Sequence, residues 1–494
     1  MYKFTFTEIQ FCSRICLQAK KSEPKETSMS DIELVAHLMR RAGFGLNHQE
    51  LQKLANDPYE VIVDNMLDQT DVSWLGDYMV RRFDNEASGM INVPGTARTW
   101  IYRMISTSNP LQEKMPLFWH SIFATGIPKV INGRVLFDQI NMFRKHGLGK
   151  FDELLVHLAK DPAMIVWLDN QENHKNSINE NWGRELLELF SMGVGNYTEE
   201  DVKECARAFT GWTIGNSDYM MTRALRDSDW PYGRIAYHFE YKEDDHDNSP
   251  RTFLGETGHF NGEDIIEIIC KQESTARFIS RHLYHFFVTD EVPVPSWQNI
   301  EPKDPEAIDI LVKAYFDSNY DLKEMLRVLF NSEFFKSETV RYKKVKGPAE
   351  FAAGVLRFSK EFDVPTRDLI PRHRQIGWMG QELSNPTSVE GWHEGQEWID
   401  TGALVERINF ASEFLGNKDN KGIKQIIANI ISSTTSTLSS AEIVSACLQE
   451  LGNLTIDEST FDALVKFSDS VQDMPEKISG ILGLIGSTKE FQMA

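Results

Sequence analysis

Signals that start an α-helix recur along this whole chain, and signals for strands are scarce. Ser30-Asp31-Ile32-Glu33 reads as a capping box, in which a side chain at the helix start accepts an unpaired backbone N–H. Leu34, Val35, Leu38, Met39 and Ala42 follow at helical spacing, and Gly43 and Gly45 end the run. Asp161-Pro162 supplies a cap and a first-turn proline ahead of Met164, Ile165 and Leu168. Thr198-Glu199-Glu200-Asp201, Asp321-Leu322-Lys323-Glu324 and Ser439-Ser440-Ala441-Glu442 open three more helices. The one strand pattern alternates Tyr237, Phe239 and Tyr241 with Ala236, His238 and Glu240, and Arg251 to Gly255 reads as its return strand.

The expected fold class is therefore mainly α. A large multi-helix domain spans residues 30–494, with one small β-hairpin near residues 235–255. The Pro-containing stretch at 290–304 marks where two lobes would divide. Residues 1–29 read as an N-terminal extension, poorly ordered, with Met29 as an alternative start.

Composition narrows the function classes. With 52 Lys plus Arg against 73 Asp plus Glu, the net charge is −21, which argues against a nucleic-acid partner. No stretch approaches the ~20 apolar residues of a membrane span. The first residues lack the continuous apolar core of a signal peptide, so the expected location is the cytoplasm. The cysteines Cys12, Cys16, Cys205, Cys270 and Cys447 are too few and too scattered for a disulfide framework.

The most informative run is residues 181–190. Trp182, Leu186 and Leu189 make an apolar stripe, while Asn181, Arg184, Glu185 and Glu188 gather on another face at offsets of three, four and seven. Aligned polar groups of this kind can hold a metal or act as acid and base, although an exposed ion pair has the same pattern. Upstream, Asp169, Gln171, Asn173, Ser177 and Glu180 repeat the oxygen spacing of a calcium loop. His174 stands where the sharp-turn glycine belongs, so amide caps on backbone groups explain the loop better. Gly193-Val194-Gly195 follows a helix rather than a strand and reads as helix termination, not a phosphate loop. His120 sits in an aromatic helix, where a core histidine is the ordinary case. Asp244-Asp245-His246-Asp247 would suit a divalent ion or a solvated turn. Trp378, Trp392 and Trp398 read as anchors, or as a carbohydrate or protein contact.

A series of motifs in one order resembles the bacterial family called domain of unknown function 1800. It runs through residues 36–45 (AHLMRRAGFG), 118–125 (FWHSIFAT), 161–164 (DPAM), and 168–170 with Asn173. It continues through 179–181, 184–190 (RELLELF), 193–195 and 208–212 (AFTGW), then His246-Asp247 with 252–255 (TFLG). Residues 346–351 (KGPAEF), 389–392 (VEGW) and 490–492 (EFQ) complete it, so the resemblance covers about residues 30–494. Ser249 and Arg251 depart from the usual glycine and lysine, and Gly183 departs from an aromatic-then-alanine pattern. The resemblance carries no activity. It raises His120, Asp169, Asn170, Asn173, Asn181, Arg184, Glu185, His246 and Asp247 as site candidates. Many relatives look exported, and members are often encoded beside a sulfatase-like partner, which points to export and a protein partner as alternatives.

The leading expectation is a hydrolase-like enzyme with a polar site, assisted by a divalent metal ion and acting on a small molecule. His120, Arg184, Glu185 and Glu188 would be catalytic, and Asp169, Asn173, His246 and Asp247 would hold the metal. The alternative is a non-catalytic binding or assembly protein in which the same residues form a buried network joining helices. A calcium-stabilised protein is a third option. An open pocket lined by His120, Glu185 and His246 would favour the enzyme, and a closed, fully paired network the assembly protein.

Overall fold

The computed structural model describes residues 31–68, 93–130, 132–215, 237–362, 364–432 and 438–494. The fold is mainly α. The elements that frame the candidate sites are helices α1 (Ile32–Arg41), α2 (Val93–Ser106), α3 (Pro110–Ile122), α4 (Gly133–His146) and α5 (Pro162–Trp167). They continue with α6 (Asn181–Glu188), α7 (Glu199–Ala208), α8 (Glu273–Phe287), α9 (Pro348–Ser359), α10 (Thr401–Leu415) and α11 (Met474–Gly486).

Their ends follow the caps legible in the sequence. Asp31 accepts from the Glu33 N–H at the start of α1, while Ser30 lies outside the described residues. Asp161 accepts from the Met164 N–H ahead of α5, with Pro162 in its first turn. Thr198 and Asp201 cap each other's backbone ahead of α7. Each such cap contributes about 1 kcal/mol by satisfying a donor the helix leaves unpaired.

One apolar core cluster runs from Val35 to Phe491 and draws in residues on both sides of the 290–304 stretch. Its centre is aromatic. Trp119 stacks on Phe123 at 5.0 Å and anchors its indole N–H on the Gly147 carbonyl at 2.9 Å. Phe123 meets Phe190 edge-on at 5.4 Å, which ties the end of α6 to α3. Within α6, Trp182, Leu186 and Leu187 are buried and Leu189 is half-buried. Gly183 lets α6 approach α7 closely: a Cβ there would stand 2.9 Å from the Ala206 nitrogen and 3.0 Å from the Val202 carbonyl.

The strands pair differently from the expected hairpin. Strand β1 (Trp212–Gly215) pairs antiparallel with β2 (His238–Tyr241), and β3 (Arg251–Phe253) turns back through Leu254-Gly255 onto β4 (Glu256–Gly258). The two expected strand runs therefore exist, but each has another partner. The reason lies between them. A 3₁₀ turn at Glu243–Asp245 and an ion pair from Arg207 to Asp247 dock residues 243–249 onto the end of α7, so the chain cannot close into a hairpin there. Cys205, Cys270 and Cys447 are free and buried. Among the described residues no helix is long and apolar enough to cross a membrane.

Candidate functional site

The motif residues fall into two neighbourhoods. The first surrounds the C-terminal end of α7, where the last carbonyls of a helix lack partners inside it. Asn173 donates to the Ala206 carbonyl at 2.8 Å, and Asn170 donates to the Trp212 carbonyl at 2.8 Å. Asn173 also donates to the Asn170 side chain at 3.2 Å and accepts the Asn179 N–H at 3.0 Å. From the other side His246 Nδ1 donates to the Thr210 carbonyl at 2.8 Å, and the Asp247 N–H donates to the Thr210 hydroxyl at 2.8 Å. Arg207 binds Asp247 at 2.8 Å and Glu204 at 2.6 Å. Hydrogen bonds from Arg207 and Ser249 hold the Asp247 carboxyl well below the usual carboxylate range, despite its burial.

Asp169 stands apart from this cluster. Its backbone is left-handed at φ 59°, and its carboxylate pairs with Lys129 at 2.5 Å and accepts from Asn181 at 3.4 Å. The residues expected to hold a metal are thus each engaged by protein groups. Among the described residues no three His, Cys, Asp or Glu side chains group as a metal ion would need.

The expected catalytic residues divide as well. Arg184 makes a two-pronged ion pair with Glu199 at 2.7 and 2.9 Å and reaches Glu180 at 3.3 Å, on the surface. Glu188 accepts from the Tyr197 hydroxyl at 3.0 Å. His120 is fully buried, edge-on to Trp100 at 5.9 Å and to Trp392 at 5.1 Å, and among the described residues neither ring nitrogen has a hydrogen-bond partner. Burial pushes its basicity down to about 3, so the ring is neutral. Glu185 is half-buried. Burial, with Glu188 and Glu390 adding negative charge nearby, pushes its carboxyl up to about 7, and Arg184 opposes the shift.

The second neighbourhood is a cleft of about 1160 Å³ that the motif reading did not anticipate. One wall is α8 and the 290–297 stretch, the other the 388–399 segment, and Leu189 reaches it from the end of α6. Phe118, Phe286, Trp297 and Trp392 give it an aromatic lining. Two acidic residues on its edge are neutralised in place: Glu291 pairs with Arg281 at 2.8 Å, and Asp290 pairs with Lys344 at 3.0 Å. His282, edge-on to Phe278 and tilted against Trp297 with both ring centroids at 4.6 Å, has no partner for Nε2 among the described residues. One turn on, His285 accepts the Glu291 N–H at Nδ1 (2.8 Å) and lies 3.0 Å from Glu394 through Nε2.

Sequence reasoning missed His285 and Glu394. The visible signals were His282 and His285 three apart on one helix, and a His-Glu pair directly after the 389–392 motif. Nothing local joins two positions separated by 109 residues.

The motif order and the fold agree with the comparison against known families. No curated protein and no solved structure matches the chain. A family model described as a protein of unknown function matches residues 37–493, so the chain belongs to the DUF1800 family.

Proposed function

We propose that this protein is a hydrolase-like enzyme whose substrate occupies the cleft between α8 and the 388–399 segment. The observation that carries the reading is the His285–Glu394 pair, 3.0 Å apart on the wall of a cleft of about 1160 Å³. Ligand clefts of small-molecule enzymes have volumes of roughly this order, with mostly apolar walls and a few converging polar groups. His285 holds one Glu394 oxygen and leaves the other to take a proton from water or from a substrate hydroxyl. Glu185 is outside the cleft lining, but its carboxyl, pushed up to about 7 and near enough to Glu390 of the lining to feel its charge, is the proposed proton donor. No divalent ion enters the proposal, since Asp169, Asn173 and Asp247 are each held by protein groups.

The substrate class is an uncharged or weakly polar organic molecule with an apolar face, matched to Trp297, Phe286 and Trp392. The test is a panel of chromogenic esters, amides, glycosides and phosphate esters with the native protein and Glu394→Gln. Turnover that falls at least ~100-fold in the variant supports the assignment. Turnover unchanged in the variant removes Glu394 from it.

The second reading, a non-catalytic assembly protein, has its own observation. The Asn170, Asn173, Thr210 and Asp247 side chains form a paired network around α7 that joins segments distant in sequence. A protein inert on the whole panel that co-purifies with a partner would favour it.

A further inference from the structure

Residues 36–45 and 346–351 stay outside the cleft and the α7 network, and residues 490–492 reach the cleft only through Gln492. They meet around a small cavity of about 20 Å³, bounded by Arg40, Lys346 and Glu350 among Phe44, Phe351 and Phe491. That is room for one water-sized occupant.

Basic side chains around this cavity outnumber the carboxylates that pair with them. Six basic side chains gather here: Arg40, Arg41, Lys114, Lys344, Lys346 and Arg407. Lys114 reaches Glu350 at 2.7 Å and Lys344 reaches Asp290 at 3.0 Å. The other four have no ion pair among the described residues: they meet neutral oxygens and aromatic faces, Arg40 over Tyr342, Lys346 over Phe491 and Arg407 over Phe351, with Glu350 near enough to act on Arg41, Lys346 and Arg407. Arg40 donates to the Gly452 carbonyl at 3.1 Å, and Arg41 to the Val340 carbonyl at 2.8 Å. Lys346 donates to the Phe491 carbonyl at 2.7 Å, and Arg407 to the Gln492 side-chain oxygen at 2.6 Å. Arg40 and Arg407 are 7% and 0% exposed, yet among the described residues Arg40 Nε and Arg407 Nη1 are buried without a hydrogen-bond partner.

A buried cation without a counter-charge is costly, and a protein either neutralises it or pairs it. Lysine can give up its proton. Burial and the neighbouring Arg40 push the Lys346 ammonium down to about 7, so neutralisation of this group is incomplete. Arginine keeps its charge at all ordinary pH. Water in the cavity would supply a dipole but no charge.

We propose that this cavity is a binding site for one small monovalent anion, chloride, held between Arg40 and Lys346. The size excludes phosphate and sulfate. Glu350 also borders the cavity, but its oxygens are turned to Lys114 and, at 3.4 Å, to the Gly347 N–H. The inference is independent of the reaction assigned to the cleft.

Crystals of the full chain soaked in sodium bromide test it, because bromide scatters anomalously and replaces chloride. The expected result is an anomalous peak between Arg40 and Lys346. Thermal unfolding in sodium chloride against sodium gluconate at equal ionic strength gives a second readout. Chloride is expected to raise Tm by a few degrees, saturably, and Lys346→Met to abolish that rise. An empty anomalous map at the cavity, or equal Tm of the native protein in the two salts, overturns the proposal.

Discussion

His285 Nε2 lies 3.0 Å from Glu394 Oε2, and Nδ1 of the same ring accepts the Glu291 N–H at 2.8 Å. A main-chain N–H can only donate, so the ring proton sits on Nε2 and points at the carboxylate. One imidazole thereby ties the C-terminal end of α8 to the 388–399 segment across the cleft. The histidine has no nitrogen left to act as a base, which leaves Glu394 as the reactive member of the pair.

His285→Phe therefore leaves Glu394 in place but unsteered. The expected effect is a fall in kcat of about 10–100-fold with KM changed less than about threefold, since orientation rather than binding is lost. Steady-state kinetics on a panel substrate check it.

Glu185 carries a pH signature. Its carboxyl is raised in the fold, to about 7 from an ordinary 4.5. The folded state thus binds the proton more tightly than the unfolded chain. Stability is greatest below the ordinary value and falls as pH rises from about 4.5 to about 7. Glu185→Gln removes this loss, and stabilises the protein at pH 8 by about 1 kcal/mol once partial solvent exposure is allowed for. Urea unfolding of both proteins at pH 5 and pH 8 measures the difference.

Asp247 behaves with the opposite sign. Arg207 at 2.8 Å and the Ser249 N–H at 2.9 Å depress its carboxyl, so its stabilisation is present above the ordinary carboxylate range and is lost as pH falls below it. Asp247→Asn is expected to lose about 1–3 kcal/mol at pH 7. The gap between variant and native protein should narrow near pH 3, as equilibrium unfolding at the two pH values will report.

Gly391 is a geometric weak point of the cleft. Its φ is +95°, and a Cβ would strike the Ser121 carbonyl oxygen. Gly391→Ala combines left-handed strain with a backbone clash and should cost about 2 kcal/mol or more. It would also displace Trp392, so ligand affinity should fall along with Tm. Calorimetric unfolding and ligand titration test the two parts separately.

Local chemistry made much of the fold readable. Asp161, Thr198, Asp321 and Ser439 cap helices where their sequences indicate, because capping depends on neighbours within four residues. The strand partners were not readable, because pairing is decided by contacts between distant segments. Phe239 pairs in register with Ile214 and meets Trp212 at 5.2 Å. The candidate site divided in the same way. The 181–190 face has its predicted polar and apolar sides, since helical periodicity fixes them. What each polar group meets is a tertiary matter, as Arg184 pairing with Glu199 and Asn173 with the Ala206 carbonyl illustrate. The burial of His120 was readable from its aromatic helix, but its contact with Trp392 joins positions 272 apart and left no trace in the local pattern.

The most direct measurement is kcat/KM for the best panel substrate in the native protein, Glu394→Gln and Asp247→Asn, at a temperature where all three are folded. The cleft account predicts a loss of about 100-fold or more for Glu394→Gln and less than about threefold for Asp247→Asn. Full activity in Glu394→Gln, with the loss appearing in Asp247→Asn, would contradict it and move the chemistry to the network around α7.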